Sequence, residues 1–377
     1  MKIAIMTQPL GKNYGGIMQA WALQQVLKSE GHEVVTIDRQ ADEKGFFYHF
    51  ARLGYRSLQK SLGKRKAPIN LEKYFPKIFE HTNAFVVQNL SMSEPLDSTE
   101  KIKAHFDREN YDVVIVGSDQ TWRPMYSPNI GNFFLDFLKN KNIKRIAYAS
   151  SFGVAEWEFT EEQKKYCAPL AQKFDAVSVR EDSGIALCRN YLGVDATHVL
   201  DPTLLLERSA YERLFENENI PKNSGVYTYI LDKANWKCQV IETVKEELNL
   251  KDFSHQPKDQ WSDPMFGDWS QCHMPSVNGW IKGFADADFV ITDSFHGTVF
   301  SIIFGKPFIS LVNDGRGASR FISLLHDLDF SDRLIRGLNK KHILKLLENK
   351  YEVESIDKVL SLKKSASRFF LKSHIEY

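Results

Sequence analysis

One stretch constrains the fold more than any other, namely residues 288–309, which read DFVITDSFHGTVFSIIFGKPFI. Its apolar start, residues 289–291, is typical of a short buried strand in a parallel sheet. A polar turn interrupts the apolar run, and apolar residues then recur at helical spacing until Gly305-Lys306-Pro307, which predicts a helix end and a further strand. The stretch therefore predicts strand, helix and strand, the repeating unit of an α/β fold.

The predicted helix begins near residues 294–297, at the carboxyl end of its strand. The first amides of a helix lack partners inside the helix, so such a position commonly binds anions. Ser294, His296 and Gly297 would then face a ligand. The alternative is that Asp293 or Ser294 only caps the helix and that His296 is a surface histidine, and the stretch alone leaves both open.

Composition narrows the class of protein. A chain of 377 residues predicts two domains, and 43% hydrophobic with 26% charged residues is ordinary for a globular protein. With 49 Lys and Arg against 48 Asp and Glu, an extended nucleic-acid surface is not expected. Four scattered cysteines and the absence of metal-ligand spacings near the strand ends argue for reduced thiols and no metal. No signal peptide or membrane-spanning run is recognisable, so we expect a cytoplasmic protein.

The chain opens as a βαβ unit. Residues 2–6 predict a strand, the loop TQPLGKNYGG follows, and a helix from residue 17 and a strand from residue 33 complete the unit. The loop has neither GxGxxG spacing nor a Walker lysine. Asn13, Tyr14 and Gly15 are candidate ligand contacts; a plain turn is the alternative for the first two, and close approach of the backbone to a neighbouring domain is the alternative for Gly15.

Residues 41–101 predict a helical insertion interrupted by prolines. It contains the basic run KSLGKRK, residues 60–66. Such a run is either a solvated face or a contact with an anionic glycan or a membrane-surface lipid carrier.

Polar residues follow two further strands of the first half. Asp119 and Trp122 follow the strand DVVIV, and Arg180 follows AVSV. Asp119 is a candidate base or hydroxyl acceptor, or a turn residue. Trp122 is a candidate sugar-stacking face, or a loop anchor. Arg180 is placed to bind a carboxylate or phosphate at two points, or to pair with Glu181 or Asp182.

A second alternation of strands and helices follows a boundary near Leu206. Its last loop, NDGRGASR, contains Arg316 and Arg320. Because consecutive strand ends of one sheet lie side by side, both arginines are expected at the cleft of His296.

Six ordered segments together resemble the polysaccharide pyruvyl transferases. They are GKNYGGIMQAWAL, VGSDQTW, SVREDSG, HVLDPTLLL, TDSFHGTVFSIIFGKPFI and NDGRGASR. The resemblance implies a GT-B-like α/β fold of two Rossmann-like domains facing across a cleft. We expect domains at residues 1–206 and 207–350, and a helix at 351–377 that crosses back to the first domain or touches a membrane surface.

The resemblance also implies a reaction. Members transfer pyruvate from phosphoenolpyruvate to a sugar of a surface polysaccharide or its precursor, forming a ketal and releasing phosphate, with no cofactor. It implies that His296 and Arg180 act in catalysis and donor binding. Ser294, Gly297, Arg316 and Arg320 would complete the donor site, Asp119 would be the base, and Asn13, Tyr14, Gly15 and Trp122 would contact the acceptor.

Two other functions remain compatible with this sequence. One is a GT-B glycosyltransferase that uses a nucleotide sugar, because a fold does not fix chemistry. The other is a non-catalytic glycan-binding protein on the same fold. The acceptor, a sugar or a lipid-linked oligosaccharide, is not defined by sequence, and neither is location at the inner face of the membrane.

Overall fold

The computed structural model of the protein describes residues 1–138, 142–313, 315, 317–348 and 353–376, with only the backbone for residues 353–356. Within these ranges the strands form two sheets, and every strand pair in both sheets is parallel. The predicted α/β fold class is confirmed.

The first sheet has six strands in the order β2-β1-β3-β4-β5-β6. Its strands are β1 (Lys2–Met6), β2 (Glu33–Ile37), β3 (Val113–Val116), β4 (Lys144–Ser150), β5 (Ala176–Val179) and β6 (Thr197–His198). The central strand β3 is buried along its whole length, as a continuous apolar run between two helical layers requires.

The second sheet has five strands in the order β11-β10-β9-β7-β8. Its strands are β7 (Val226–Tyr229), β8 (Asp252–Phe253), β9 (Phe289–Thr292), β10 (Phe308–Leu311) and β11 (Leu334–Ile335). The predicted boundary near Leu206 falls between the two sheets. The carboxyl end of β9, where the polar turn begins, lies beside those of β7 and β10.

Helices cover both sheets. Those of the first half are α1 (Tyr14–Ser29), α2 (Phe46–Ser61), α3 (Phe75–Ile78), α4 (Glu80–Asn89), α5 (Thr99–Arg108), α6 (Glu161–Ala171) and α7 (Ser183–Leu187). Those of the second half are α8 (Arg208–Glu212), α9 (Asn235–Leu248), α10 (Val277–Asp286), α11 (Phe295–Ile303), α12 (Ser319–Asp327), α13 (Lys340–Glu348) and α14 (Val353–Glu376). None of the helices in the described ranges has the length and apolar character needed to cross a membrane.

The final helix, α14, lies against the first domain. Ser367 Oγ accepts a hydrogen bond from the Leu200 amide at 3.0 Å, and Arg368 donates to the Leu205 carbonyl at 2.9 Å. Leu371 and Ile375 are fully buried, and the ring of Phe370 lies near Tyr148 on β4. The end of the chain therefore covers the sheet with which the chain begins.

Candidate active site

A cavity of about 560 Å³ lies between the two domains. Its wall combines residues that follow strands of the first sheet with residues that follow strands of the second. The lining residues are Gln8, Pro9, Lys12, Asn13, Gly16, Asp119, Gln120, Tyr126, Leu231, Trp261, Asp293, Ser294, Phe295, His296, Arg320 and Phe321. The cavity thus contains His296 and Asp119, which sequence analysis assigned to opposite domains.

His296 lies in the first turn of α11, directly after β9. Ser294 is the N-cap of this helix and accepts a bond from the Gly297 amide at 3.4 Å, which fixes where the helix begins. The imidazole is 5% exposed and reaches across the cleft to the first turn of α1. A Cβ on Gly15 would lie 2.6 Å from the Cγ and 2.9 Å from the Cε1 of His296. Only glycine at position 15 allows this approach.

Asp201 connects the histidine to the first domain. Its Oδ2 is 2.8 Å from Arg180 Nη1 and 3.6 Å from His296 Nε2. Its Oδ1 accepts bonds from the amide and hydroxyl of Thr203 at 3.0 and 2.6 Å. Burial raises the pKa of this carboxyl, but His296, Arg180 and Thr203 outweigh burial and hold the pKa well below its usual range. Asp201 is therefore a carboxylate in the folded protein.

Arg180 is buried beneath the cavity, at the end of β5. Besides Asp201, its guanidinium faces Asp119, with Nη2 at 3.7 Å from Oδ1. Burial lowers the pKa of Arg180, but the carboxylates of Asp201, Asp119 and Glu181 outweigh burial and raise it. The alternative of a local ion pair with Glu181 is not what the structure has, because Glu181 accepts bonds from the Phe152 and Gly153 amides. The counter-charge of Arg180 is Asp201, which follows the neighbouring strand β6.

Three nitrogen atoms around Asp201 are buried without hydrogen bonds to any described residue. They are Nε and Nη2 of Arg180 and Nε2 of His296. Buried polar groups in folded proteins are nearly always hydrogen-bonded, so a cluster without such bonds needs an explanation. A bound oxyanion would supply the missing acceptors.

A second guanidinium lies across the ring of Phe295. The Cζ atoms of Arg180 and Arg320 are 4.9 and 5.4 Å from the ring centroid. Arg320, at the start of α12, lies on the cavity wall, whereas Arg180 does not. Burial and then the positive charge of Arg180 lower the pKa of Arg320 to about 10. The two cations therefore feel each other's charge, an arrangement that a bound anion would stabilise.

Asp119 lies on the cavity wall with a left-handed backbone, at a φ of 44°. Such a conformation is uncommon outside glycine and clusters at functional sites. Its Oδ1 accepts the Gln120 amide at 2.9 Å. The other oxygen, Oδ2, would be 3.3 Å from a Cβ on Gly16. The carboxylate is thus held close to α1 and near Arg180, and its predicted role as base stays a prediction.

The other residues of the turn after β9 have local tasks. Asp293 accepts bonds from the Leu231 amide, from Lys237 Nζ and from Asn313 Nδ2 at 2.6, 2.7 and 3.1 Å, so it ties three strand ends together. Gly297 packs against β9, where a Cβ would overlap Thr292. Its amide donates to Ser294, and its predicted contact with the donor stays a prediction.

The structure decides two of the predicted acceptor contacts. Trp122 is fully buried, stacks on Phe134 and donates from Nε1 to the Phe133 carbonyl at 3.1 Å, so the sugar-stacking role is wrong and the residue anchors its loop. Gly15 lies against His296 of the second domain rather than against an open acceptor surface, which is the alternative of a backbone approach to a neighbouring domain. Tyr14 is 1% exposed and its hydroxyl donates to the Pro275 carbonyl at 2.8 Å, but the residue lines a second cavity that adjoins the first, so its predicted contact with the acceptor stays a prediction.

Asn13 is placed differently from these three residues. It caps α1, accepting the Gly15 amide at 3.1 Å, and it lines both the first cavity and an adjoining cavity of about 700 Å³. Lys12, Leu231 and Trp261 also line both. The predicted contact of Asn13 with the acceptor stays a prediction. Arg316, the remaining predicted donor ligand, lies outside the described residues.

The residues that sequence reasoning missed are Asp201 and Phe295. Asp201 lies in the segment HVLDPTLLL, residues 198–206, three residues after the end of β6. A carboxylate that follows a strand, in a segment shared with the family, was the signal that could have identified it.

In the described part of the chain, no group of three or more His, Cys, Asp or Glu side chains is arranged to hold a metal ion.

Comparison with known families agrees with this geometry. A sequence model described as "Polysaccharide pyruvyl transferase" matches residues 13–315. This range includes all residues of the first cavity from Asn13 to His296. The chain belongs to this family. As a pyruvyl transferase family member it is an enzyme, a transferase that uses a sugar acceptor. No curated protein matched the sequence.

Two solved structures similar to this pyruvyl transferase family member support its fold. UDP-N-acetylglucosamine 2-epimerase from Rickettsia bellii is 10% identical, with 100% of this chain and 97% of that chain covered and a TM-score of 0.50. UDP-GlcNAc 2-epimerase from Methanocaldococcus jannaschii is 12% identical, with 93% and 92% covered and a TM-score of 0.50. The predicted GT-B-like arrangement of two Rossmann-like domains is confirmed.

Proposed function

We propose that this enzyme transfers the pyruvyl group of phosphoenolpyruvate to hydroxyls of a sugar in a surface polysaccharide or its precursor, forming a ketal and releasing phosphate. The observation that supports this most is the cluster at Asp201. There a guanidinium and an imidazole share one carboxylate and keep three nitrogens without hydrogen bonds to the described residues. Phosphoenolpyruvate carries a carboxylate and a phosphate on a three-carbon frame, so two guanidinium groups and a helix start suit it.

The donor would lie along α11, with its anionic groups toward Arg320 and the start of the helix. Arg320 contributes a planar, two-point contact from the wall, and Arg180 contributes charge and N–H groups from below. Asp201 and Asp119 offset the charge of Arg180 before the donor arrives. Among the residues that the structure describes, the positive groups left to meet the donor's charge are Arg320 and Lys12 on the cavity wall and the start of α11.

His296 would supply the proton that starts the reaction. Protonation of the donor methylene creates an oxocarbenium-like centre at the adjacent carbon, and the acceptor hydroxyl oxygen forms a bond to that carbon. Asp119 takes the hydroxyl proton. The carbon–oxygen bond to phosphate then breaks, which leaves a second oxocarbenium-like centre at the same carbon; the second hydroxyl oxygen forms a bond to that carbon, and its proton leaves with phosphate. Asp201 holds the imidazole in place throughout.

The acceptor would occupy the adjoining cavity. This cavity continues from the first one past Asn13 and Lys12, so a sugar there places hydroxyls toward Asp119 and His296. Its greater volume suits a sugar attached to a further group, such as a lipid-linked oligosaccharide.

The test separates this function from nucleotide-sugar transfer. Phosphoenolpyruvate, at about 100 times its Kd, should stabilise the protein by about 2.7 kcal/mol and raise Tm, while nucleotide sugars should not. Phosphate release with a panel of sugar acceptors should fall at least about 100-fold in His296→Gln. Arg189→Lys is the control variant: it changes a basic residue that is exposed and away from the cavity, and it should release phosphate at the parent rate.

Two results would refute the proposal. One is a rise in Tm with a nucleotide sugar and none with phosphoenolpyruvate. The other is phosphate release by His296→Gln at the rate of the parent protein.

A further inference from the structure

Helix α2 of the insertion exposes its apolar side. The helix, Phe46–Ser61, has no buried residue, and Phe47 is 88% exposed. Large apolar side chains on the helix and the turn after it are exposed to solvent, among them Phe46, Phe47, Phe50, Tyr55, Leu58 and Leu62. A contiguous apolar surface of this kind on a globular protein usually marks a contact with another body.

The opposite side of α2 is fixed to the protein by its arginines. Arg52 and Arg56 contact the carboxylate of Glu72 at 3.0 and 2.8 Å, and Arg56 also donates to the Ile69 carbonyl at 2.9 Å. The two arginines of α2 thus face the rest of the protein while its aromatic residues face solvent, an unusual arrangement for a surface helix. Simple rotation of the helix would break these contacts, so the apolar side is held toward solvent.

The charge of the segment favours one kind of surface. Residues 44–66 contain seven Lys or Arg residues and no Asp or Glu. Two of the seven pair with Glu72, while Lys60, Lys64 and Lys66 are exposed near the end of the helix. Aromatic and leucine side chains beside lysines suit the interface of an anionic bilayer, where rings enter the headgroup region and lysines meet lipid charges.

We propose that residues 46–66 dock this enzyme on an anionic lipid bilayer. A second copy of the chain fits the face less well. A two-fold contact through α2 would bring the lysines of both copies together, with no carboxylate on the segment to offset them.

Docking at this face would bring the active site close to the membrane, and this one consequence rests on the proposed function. The segment continues directly to the cavities: the Lys66 and Ala67 amides donate to the Pro264 carbonyl of the second domain at 2.9 and 3.0 Å. Next along the insertion, Phe75 packs on Trp261, which lines both cavities. A bilayer-bound α2 would hold these cavities close to the lipid surface, which suits an acceptor carried on a lipid.

Vesicle binding tests the proposal without any donor or acceptor, so its outcome is independent of pyruvyl transfer. The full chain is sedimented with vesicles of phosphatidylcholine, with and without phosphatidylglycerol, at low and high ionic strength. We expect binding to the anionic vesicles that weakens with salt. Phe47→Ser with Phe50→Ser should weaken the binding by at least about tenfold, since burial of one such ring is worth roughly a factor of ten.

Phe369→Ser is the matched control, because Phe369 is 72% exposed on α14, outside the insertion. It should bind vesicles like the parent, and Lys60→Gln with Lys64→Gln should remove the preference for anionic vesicles. The proposal is overturned if the parent does not sediment with anionic vesicles, or if the double Phe variant binds as well as Phe369→Ser. It is also overturned if the double variant converts a dimer to a monomer while vesicles bind neither form, which would make the face a contact between copies.

Discussion

Replacement of Gly15 by alanine tests the geometry of the site with one methyl group. The built Cβ lies closest to His296 Nδ1 and 2.6 Å from Cγ, whereas ordinary contacts are about 3.4 Å, so the imidazole must move by at least about 1 Å. A misplacement of about 1 Å in a catalytic group costs on the order of 100-fold in rate. We therefore expect kcat for phosphate release to fall about 100-fold in Gly15→Ala.

The fold should survive this change. Gly15 is in a helix without a positive φ, so alanine suits the backbone and favours folding by about 0.4 to 1 kcal/mol through the unfolded chain. Overpacking at the domain contact opposes this by about 1 to 3 kcal/mol. The net change in the free energy of unfolding should therefore be no more than about 3 kcal/mol, measured by urea titration.

Two other glycines provide a graded comparison. A Cβ on Gly16 would be 3.3 Å from Asp119 Oδ2, a contact that needs only a few tenths of an ångström, so Gly16→Ala should lose less than about tenfold in kcat. Gly54, on α2, has nothing within 4 Å, and Gly54→Ala should keep full activity. If Gly15→Ala folds and turns over like Gly54→Ala, the inference that His296 works in the position described here is wrong.

Three further predictions address the buried residues around the site. Asp201→Asn leaves Arg180 without its counter-charge and should lower the free energy of unfolding by about 3 to 5 kcal/mol at neutral pH. Because the folded-state pKa of Asp201 is lowered, its stabilisation is present above the unfolded pKa of about 4 and is lost as pH falls below it, so parent and variant should converge in acid denaturation. Arg320→Met removes a cation whose pKa burial lowers to about 10; it should abolish the rise in Tm with phosphoenolpyruvate, and an undiminished rise would contradict its role as a donor ligand. Trp122→Phe loses the bond to the Phe133 carbonyl and should cost about 1 to 2 kcal/mol of stability with an unchanged KM for the acceptor; a raised KM alone would restore the sugar-stacking role.

Periodicity predicted the elements well where a segment is regular. The stretch after residue 288 gave strand, cap and helix, and the structure has β9 at Phe289–Thr292, Ser294 as N-cap and α11 at Phe295–Ile303. These features depend on local spacing and on the backbone amides of one turn. They are therefore readable from a single sequence.

Pairings between distant segments were harder to predict. Glu181 and Asp182 were the only carboxylates considered as alternative partners of Arg180, yet its counter-charge is Asp201, 21 residues along the chain. That pairing depends on β6 lying beside β5, which no local pattern encodes. The orientation of α2 was missed for a related reason: its arginines face inward because Glu72, beyond the helix, is there to meet them.

The return of α14 to the first domain has a consequence for synthesis of the chain. Phe370, Leu371 and Ile375 complete the core over a sheet whose strands are all made before residue 200. While a ribosome is still translating the second half, the amino-terminal lobe has an uncovered apolar flank. Its maturation must await synthesis of residues 370–375, and truncation from residue 366 onward should harm the lobe made first rather than the one made last.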